Sequence, residues 1–291
     1  MPAPDPLDDP FGRTGRRSRI LAGTWRREGA RGVAVALVST VVVCVVLGIL
    51  IVNAPGWPRV REFFFNWGEL EDSMPQIAEK FLVNVEAFAI AEAVVLVLGL
   101  GIAILRSLPG PVFFPIRALA ILWVDVFRGM PTILVIALLV FGVPALEFEG
   151  VPIDPLFWGI VAIVLVYSAY VAEVYRAGIE SVHPSQDAAA RSLGLSRLGS
   201  LRHVVVPQAV RRVVPPLLND FIGLQKDTAL LGVGGAVEAF RQAQIDQAAA
   251  YNMTPFVALA LVFIAITIPL TRFTDWLVAR ERGRRQATGL L

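Results

Sequence analysis

Residues 33–52 read VAVALVSTVVVCVVLGILIV, twenty residues with no charge and no proline. A helix of that length, rising about 1.5 Å per residue, is about 30 Å long, the thickness of a bilayer's hydrocarbon core. The stretch therefore predicts a membrane-spanning helix. A basic segment precedes it, as in a secretory signal, but the run is longer than a signal's apolar region and no A-x-A cleavage site follows. Composition agrees: 56% of the 291 residues are hydrophobic and only 17% are charged, against about 25% charged in soluble domains. A single soluble core stops growing near this length and could not hide that much apolar surface. The one cysteine, Cys44, lies inside the apolar run, so it forms no intrachain disulfide and reads as packing, and the redox compartment is not readable from it.

Working outward, residues 1–32 are rich in Pro, Gly and Arg and read as a disordered cytoplasmic tail. Downstream, apolar stretches at 82–105, 118–143, 156–172 and 254–271 predict four more spans, the second interrupted by Asp125, Arg128 and Pro131. The C-terminal tail, 281–291 with Arg280 just before it, is basic like the N-terminal one. The positive-inside rule puts both ends in the cytoplasm, which demands an even number of spans. Only 209–233 can supply a sixth, and it is broken by Asn219, Asp220, Gln225, Lys226 and Asp227. Such a polar span should face a bundle interior or a partner. Loop charges agree with this order. Segments 53–80 and 144–155 have an acidic excess and read as extracytoplasmic, whereas 176–212 carries six arginines against two acids and reads as cytoplasmic. The expected fold is all-α, a multi-pass transmembrane helical bundle with a long cytoplasmic insert.

The sequence also excludes chemistry. Neither lysine, Lys80 or Lys226, follows a glycine, so there is no P-loop. His183 and His203 lack any zinc-site spacing, and no G-x-S-x-G elbow occurs. Transport is a better reading than catalysis. Within the insert, residues 183–194 predict a short helix, with Pro184 in the first turn, Asp187 near the positive end of the dipole and Gly194 as a left-handed stop. Ser196 is expected to cap a second helix running to Val206 and ending before Pro207. Ala188, Ala189 and Ala190 leave a bare surface beside Leu193, Leu195 and Leu198, which suits docking to another protein; an ordinary amphipathic connector is the alternative.

These residues resemble a known family. Gln186-x-x-Ala189-Ala190-Arg191-x-Leu193-Gly194-Leu195-Ser196, followed by Pro207-Gln208-Ala209-x-Arg211, is similar to the EAA loop of ABC importer membrane subunits. Phe127-Arg128-Gly129-x-Pro131, Ser168-Ala169-Tyr170-x-Ala172-Glu173-x-x-Arg176-x-Gly178 and Leu224-x-Lys226-Asp227-Thr228-x-Leu230 resemble the subgroup that imports polar amino acids such as histidine, glutamine or glutamate. The resemblance covers about 84–280. It implies a type I ABC importer permease domain at 81–280, with a coupling loop at about 178–208 in which Asp187, Ala188, Ala189, Ala190, Gly194 and Pro207 face a separate ATP-binding subunit. It also implies an extracellular solute-binding protein, a second permease copy or a paralogous permease, and a bacterial plasma membrane location. ATP and magnesium would belong to the ATPase, with no cofactor on this chain and no nucleic-acid partner. The added span at 33–52 is similar to glutamate-type permeases. One departure stands out: the family's EAA glutamate falls at Ala188, while Asp187 lies one position earlier, about 100° around the helix.

Inside the membrane, Glu92 lies near the middle of a span, where an acid costs roughly 2.5–3.5 kcal/mol. It either lines a solute path, sharing a stripe with Asn84, or hydrogen-bonds at a helix contact. Asp125 and Arg128 are spaced to pair on one helix face, with Gly129 and Pro131 loosening the helix beyond them; the group reads as a gate or as an interfacial pair with Arg128 snorkelling. Lys226, Asp227 and Thr228 read as part of the same path or as a self-neutralising pair, and the resemblance adds Tyr170 and Glu173. Two other classes stay open at this point: a self-contained channel or ion-coupled carrier, and a membrane scaffold.

Overall fold

The structure is a computed structural model that describes residues 30–108 and 110–287. The expected tail at 1–29 and the last four residues lie outside the described residues. Every regular element among the described residues is helical. The chain divides into two compact units, up to Arg61 and from Glu62 onward.

The first unit holds α1, Ala30–Val52, the helix expected from its uninterrupted apolar run. Helix α2, Trp57–Phe64, spans the boundary. In the second unit, α3 (Trp67–Arg106) is a 40-residue rod whose N-terminus is capped by Asn66, its side chain accepting from the Glu69 N–H. The segment expected to be extracytoplasmic is thus largely helical, and α3 continues through Pro75. Helix α4 (Phe114–Gly129) and α5 (Thr132–Gly142) follow, then α6 (Pro155–Glu180), capped by Asp154. A short α7 (Pro184–Ser192) and α8 (Arg197–Ser200) form the insert. After a π-helical turn at Leu201–Val205 comes α9 (Val206–Asp227), then α10 (Ala239–Ala250) and α11 (Thr254–Ala287).

Among the described residues four stretches are long and apolar enough to cross a bilayer: Gly32–Val52, Trp57–Arg106, Pro155–Glu180 and Thr254–Arg280. The expected span at 118–143 is not one rod, because Phe114–Gly129 and Thr132–Leu146 meet at an angle of 101°. Proline restricts the residue before it to extended backbone, and Met130 accordingly has ψ 138°. The sixth expected span, 209–233, is helical only to Asp227, and a 3-10 turn, Thr228–Gly232, completes it. With Pro215, Pro216 and several polar residues, α9 is too polar to count as a span by hydropathy. The helix expected to stop before Pro207 instead runs on. Proline sits in the first turn of α9, where its missing N–H is not needed, and the preceding π-turn widens the backbone to admit it.

Helix α6 is the axle of the second unit. Ala162, Ile163, Val166 and Val171 are buried in one core with Ala87, Ala91 and Val95 of α3, Val135, Ile136 and Val140 of α5, and Leu224 of α9. Ala169 and Ala172 bury a second side against Ile102, Ala120 and Val124. A separate cluster joins Ile77 and Phe81 of α3 to Ala239, Ala243, Ala258 and Leu259. Helices α3 and α6 approach so closely that a Cβ on Gly99 would lie 2.7 Å from Val171 Cγ1 and 3.2 Å from the Ala172 backbone nitrogen. Gly99→Val should therefore destabilise the bundle by about 1–3 kcal/mol, whereas Gly101→Ala, with open space around it, should not. Thermal unfolding in detergent checks this; equal melting of the two variants would contradict it.

Candidate functional site

The insert folds largely as its residues dictate. Pro184 opens α7, and the His183 ring Nδ1 accepts from the Ser185 N–H at 3.2 Å. Gly194 ends the turn with φ 90°, a left-handed conformation that side chains rarely adopt. Ser196 Oγ accepts from the Gly199 N–H at 3.1 Å, so the expected cap is present. Asp187 turns inward: its carboxylate accepts from the buried Ser200 hydroxyl at 2.6 Å, pinning α7 to α8. Ala190, expected with Ala188 and Ala189 to form the bare docking surface, is buried within the chain itself. Successive residues of a helix are about 100° apart, so the face opposite Asp187 and Ala190 carries exposed Ala188, Ala189 and Ser192. Leu193 is 86% exposed. Pro207 is exposed at the start of α9, and the Arg212 guanidinium donates to the Ser181 carbonyl, tying α9 to the end of α6.

Between α6 and α9 lie two cavities of about 320 and 340 Å³. The first is lined by Arg128, Glu173, Ser181 and Arg212, among others, and the second by Thr132, Tyr167, Asn219, Lys226 and Asp227; Tyr170 and Asp220 line both. Together they form a groove that carries both signs of charge along an otherwise apolar bundle.

Glu173 organises one end. It pairs with Arg106 of α3 at 2.7 Å, with Arg128 of α4 at 4.0 Å and with Arg176 one turn on, which also reaches Glu180. Arg128 also lies over the Tyr170 ring, 5.8 Å from its centroid. The spacing argument paired Arg128 with Asp125, and the structure does not: Asp125 is exposed and carries no hydrogen bond or ion pair among the described residues, while Arg128 is drawn to the carboxylate on α6. At the other end Tyr167 donates to Asp227 at 3.0 Å, and Thr132, just past the Pro131 break, lines the same cavity as that carboxylate. Gly129 and Pro131, expected on the same path, line neither cavity; they lie at the break before Thr132.

Two expected residues lie elsewhere. Thr228 is buried outside the groove, donating to the Gln225 carbonyl at 2.7 Å and accepting from Asn84 at 3.3 Å. Asn84 also donates to Glu238 at 2.7 Å and accepts from the Ala239 N–H at 3.1 Å. Burial pushes the Glu238 carboxyl above the usual range, against the N–H donors of Phe240, Asn84 and Arg241 that pull it back. This network closes α9 and caps α10. Glu92 is half-buried, close enough to Asp220 to feel its charge, but does not line either cavity.

Asp220 and Tyr167 were not identified from sequence as site residues. Asp220 Oδ2 is buried with no hydrogen-bond partner among the described residues, where the cavities meet. Its signal was present: positions 219/220, 223 and 226/227 fall on one helical face, and all five line the second cavity. Tyr167 gave no signal, since it sits in an apolar run. Replacing Glu173 by Gln should cost about 1.5–3 kcal/mol, the worth of hydrogen bonds to charged groups, and lower thermal stability in detergent. Unchanged melting would show that the arginine cluster holds nothing together.

Residues 111–283, more than half of the chain, match the family described as binding-protein-dependent transport system inner membrane component. The chain is 32% identical over 212 residues to the "Probable glutamine ABC transporter permease protein GlnM" of Bacillus subtilis, covering 72% of this chain and 95% of that one. It is 31% identical to the "Glutamine transport system permease protein GlnP" of Escherichia coli K12, covering 71% and 93%. Among solved structures, one described as "Crystal structure of an amino acid ABC transporter with histidines" superposes with a TM-score of 0.68 at 28% identity, over 74% of this chain and 98% of that one. The MetNI methionine ABC transporter shares the fold, with a TM-score of 0.57 at 17% identity. The chain belongs to the family of binding-protein-dependent transport system inner membrane components, the permease subunits of ABC importers.

Proposed function

We propose that this chain is the permease subunit of a polar amino-acid importer, in which a separate ATPase drives solute through the groove between α6 and α9. One observation carries the reading: the groove and the coupling loop are built on the same two helices. Helix α6 ends in the loop, α9 begins from it, and Arg212 ties them together, so a push on α7 is transmitted to both walls. A groove holding Arg128 and Lys226 beside Asp220 and Asp227 suits a zwitterion. The glutamine permeases above and the arginine permease ArtQ of Bacillus subtilis, 30% identical, support amino acids as the solute class, and the extra span at 33–52 makes glutamate the first solute to test. The ATPase carries ATP and magnesium, an extracellular binding protein delivers solute, and a second permease completes the path. Both termini face the cytoplasm of a bacterial cell.

The test is reconstitution in proteoliposomes with ATPase and binding protein, measuring uptake of glutamate, glutamine, arginine and histidine. Uptake should need all components. Ala189→Trp, on the outward face, and Gly194→Val, with a strain of roughly 1–3 kcal/mol, should each cut uptake about tenfold or more while insertion stays intact. Uptake by the chain alone would instead identify a self-contained carrier.

A further inference from the structure

The coupling loop has an uneven charge surface. Between residues 181 and 206 the sequence holds a single acid, Asp187, against Arg191, Arg197 and Arg202. That acid turns inward and is only partly exposed, its carboxylate accepting from Ser200, a residue with no exposure at all. Arg191 and Arg202 are exposed, and neither makes an ion pair among the described residues. Beside them lie the exposed Ala188 and Ala189 and the 86% exposed Leu193. The outward face of α7 is therefore apolar and small-sided and carries no carboxylate, with Arg191 on the same helix and Arg202 in the π-turn that follows α8.

Resting on the importer reading above, we infer that the ATPase groove receiving α7 has an apolar floor and carboxylates on its rim, facing Arg191 and Arg202. Two exposed guanidiniums without partners select for acids in the opposing surface, since like charge across an interface is unfavourable and opposite charge steers and orients docking. An anionic lipid surface would also attract the arginines, but it requires no flat alanine face and no exposed leucine anchor. The one acid between residues 181 and 206, Asp187, serves the chain's own fold. The contact is cation on the permease and anion on the ATPase.

The experiment measures association of the full-length permease with its ATPase subunit in detergent, across salt concentrations, for wild type and four variants. Arg191→Glu and Arg202→Glu should each weaken association about tenfold or more at low salt, and wild-type association should fall as salt screens the pairs. Opposite charges placed at one outward position give a second reading that does not depend on either arginine. Ala189→Glu should bind at least about tenfold more weakly than Ala189→Lys. The reverse order, or salt-independent association with both arginine variants unaffected, would overturn the inference and leave the importer reading standing. Loss of binding to phosphatidylglycerol vesicles by the arginine variants, with ATPase association unchanged, would also overturn it and assign the cations to lipid. Failure of the wild-type chain to associate with the ATPase at all would sink the importer reading and the inference together.

Discussion

One carboxylate, Glu173, answers guanidinium groups from three helices. Arg106 ends α3, Arg128 ends α4 and Arg176 lies a turn further along α6. Charges this close to a hydrocarbon phase have few partners other than one another, so the pairing fixes where the ends of α3 and α4 meet α6. The direction of the chain into the Pro131 break follows from it, because Arg128 stands three residues before that proline. Once α4 is anchored, α5 can turn away and bury Val135, Ile136 and Val140 against the far half of α6. The groove between α6 and α9 inherits one wall from this arrangement.

The other wall depends on how α9 ends. A helix that stops at membrane depth leaves backbone groups that lipid cannot satisfy, so protein groups must do it. The Thr228 hydroxyl takes the Gln225 carbonyl, and Asn84 reaches across from α3 to hold both Thr228 and Glu238. Glu238 then accepts from the Phe240 and Arg241 N–H groups at 2.9 Å, starting α10. A buried carboxylate at a helix N-terminus is favourably placed with respect to the dipole. These contacts let α9 stop short while Lys226 and Asp227 stay in the groove.

Much of this was legible in the residues. The charge-free run at 33–52, the interruption at Pro131, the polar sixth helix and the left-handed Gly194 all follow from local rules about length, proline and glycine. Long-range partners do not. Spacing could place Asp125 and Arg128 on one face, but not reveal that an acid on another helix competes for the arginine. It could mark Ala190 as small, but not say which side of α7 the chain would cover, since that depends on the fold-back of α8 and the Asp187 to Ser200 bond. Pro207 misled because a proline ends a helix or begins one with equal ease, and only the π-turn before it decides which. The role of Asp220 was half visible, as one of several polar residues that an apolar span would not tolerate unless they shared a face.

The proposed path makes Asp220 the point through which solute passes between the two cavities. Cys44 is the chain's only cysteine, so Cys44→Ser with Asp220→Cys places one thiol at that junction. The measurement is labelling of this thiol by a small membrane-impermeant reagent in the assembled transporter, with and without transported amino acid. The account predicts labelling that solute slows several-fold. A thiol that reacts at the same rate whether or not solute is present would contradict it.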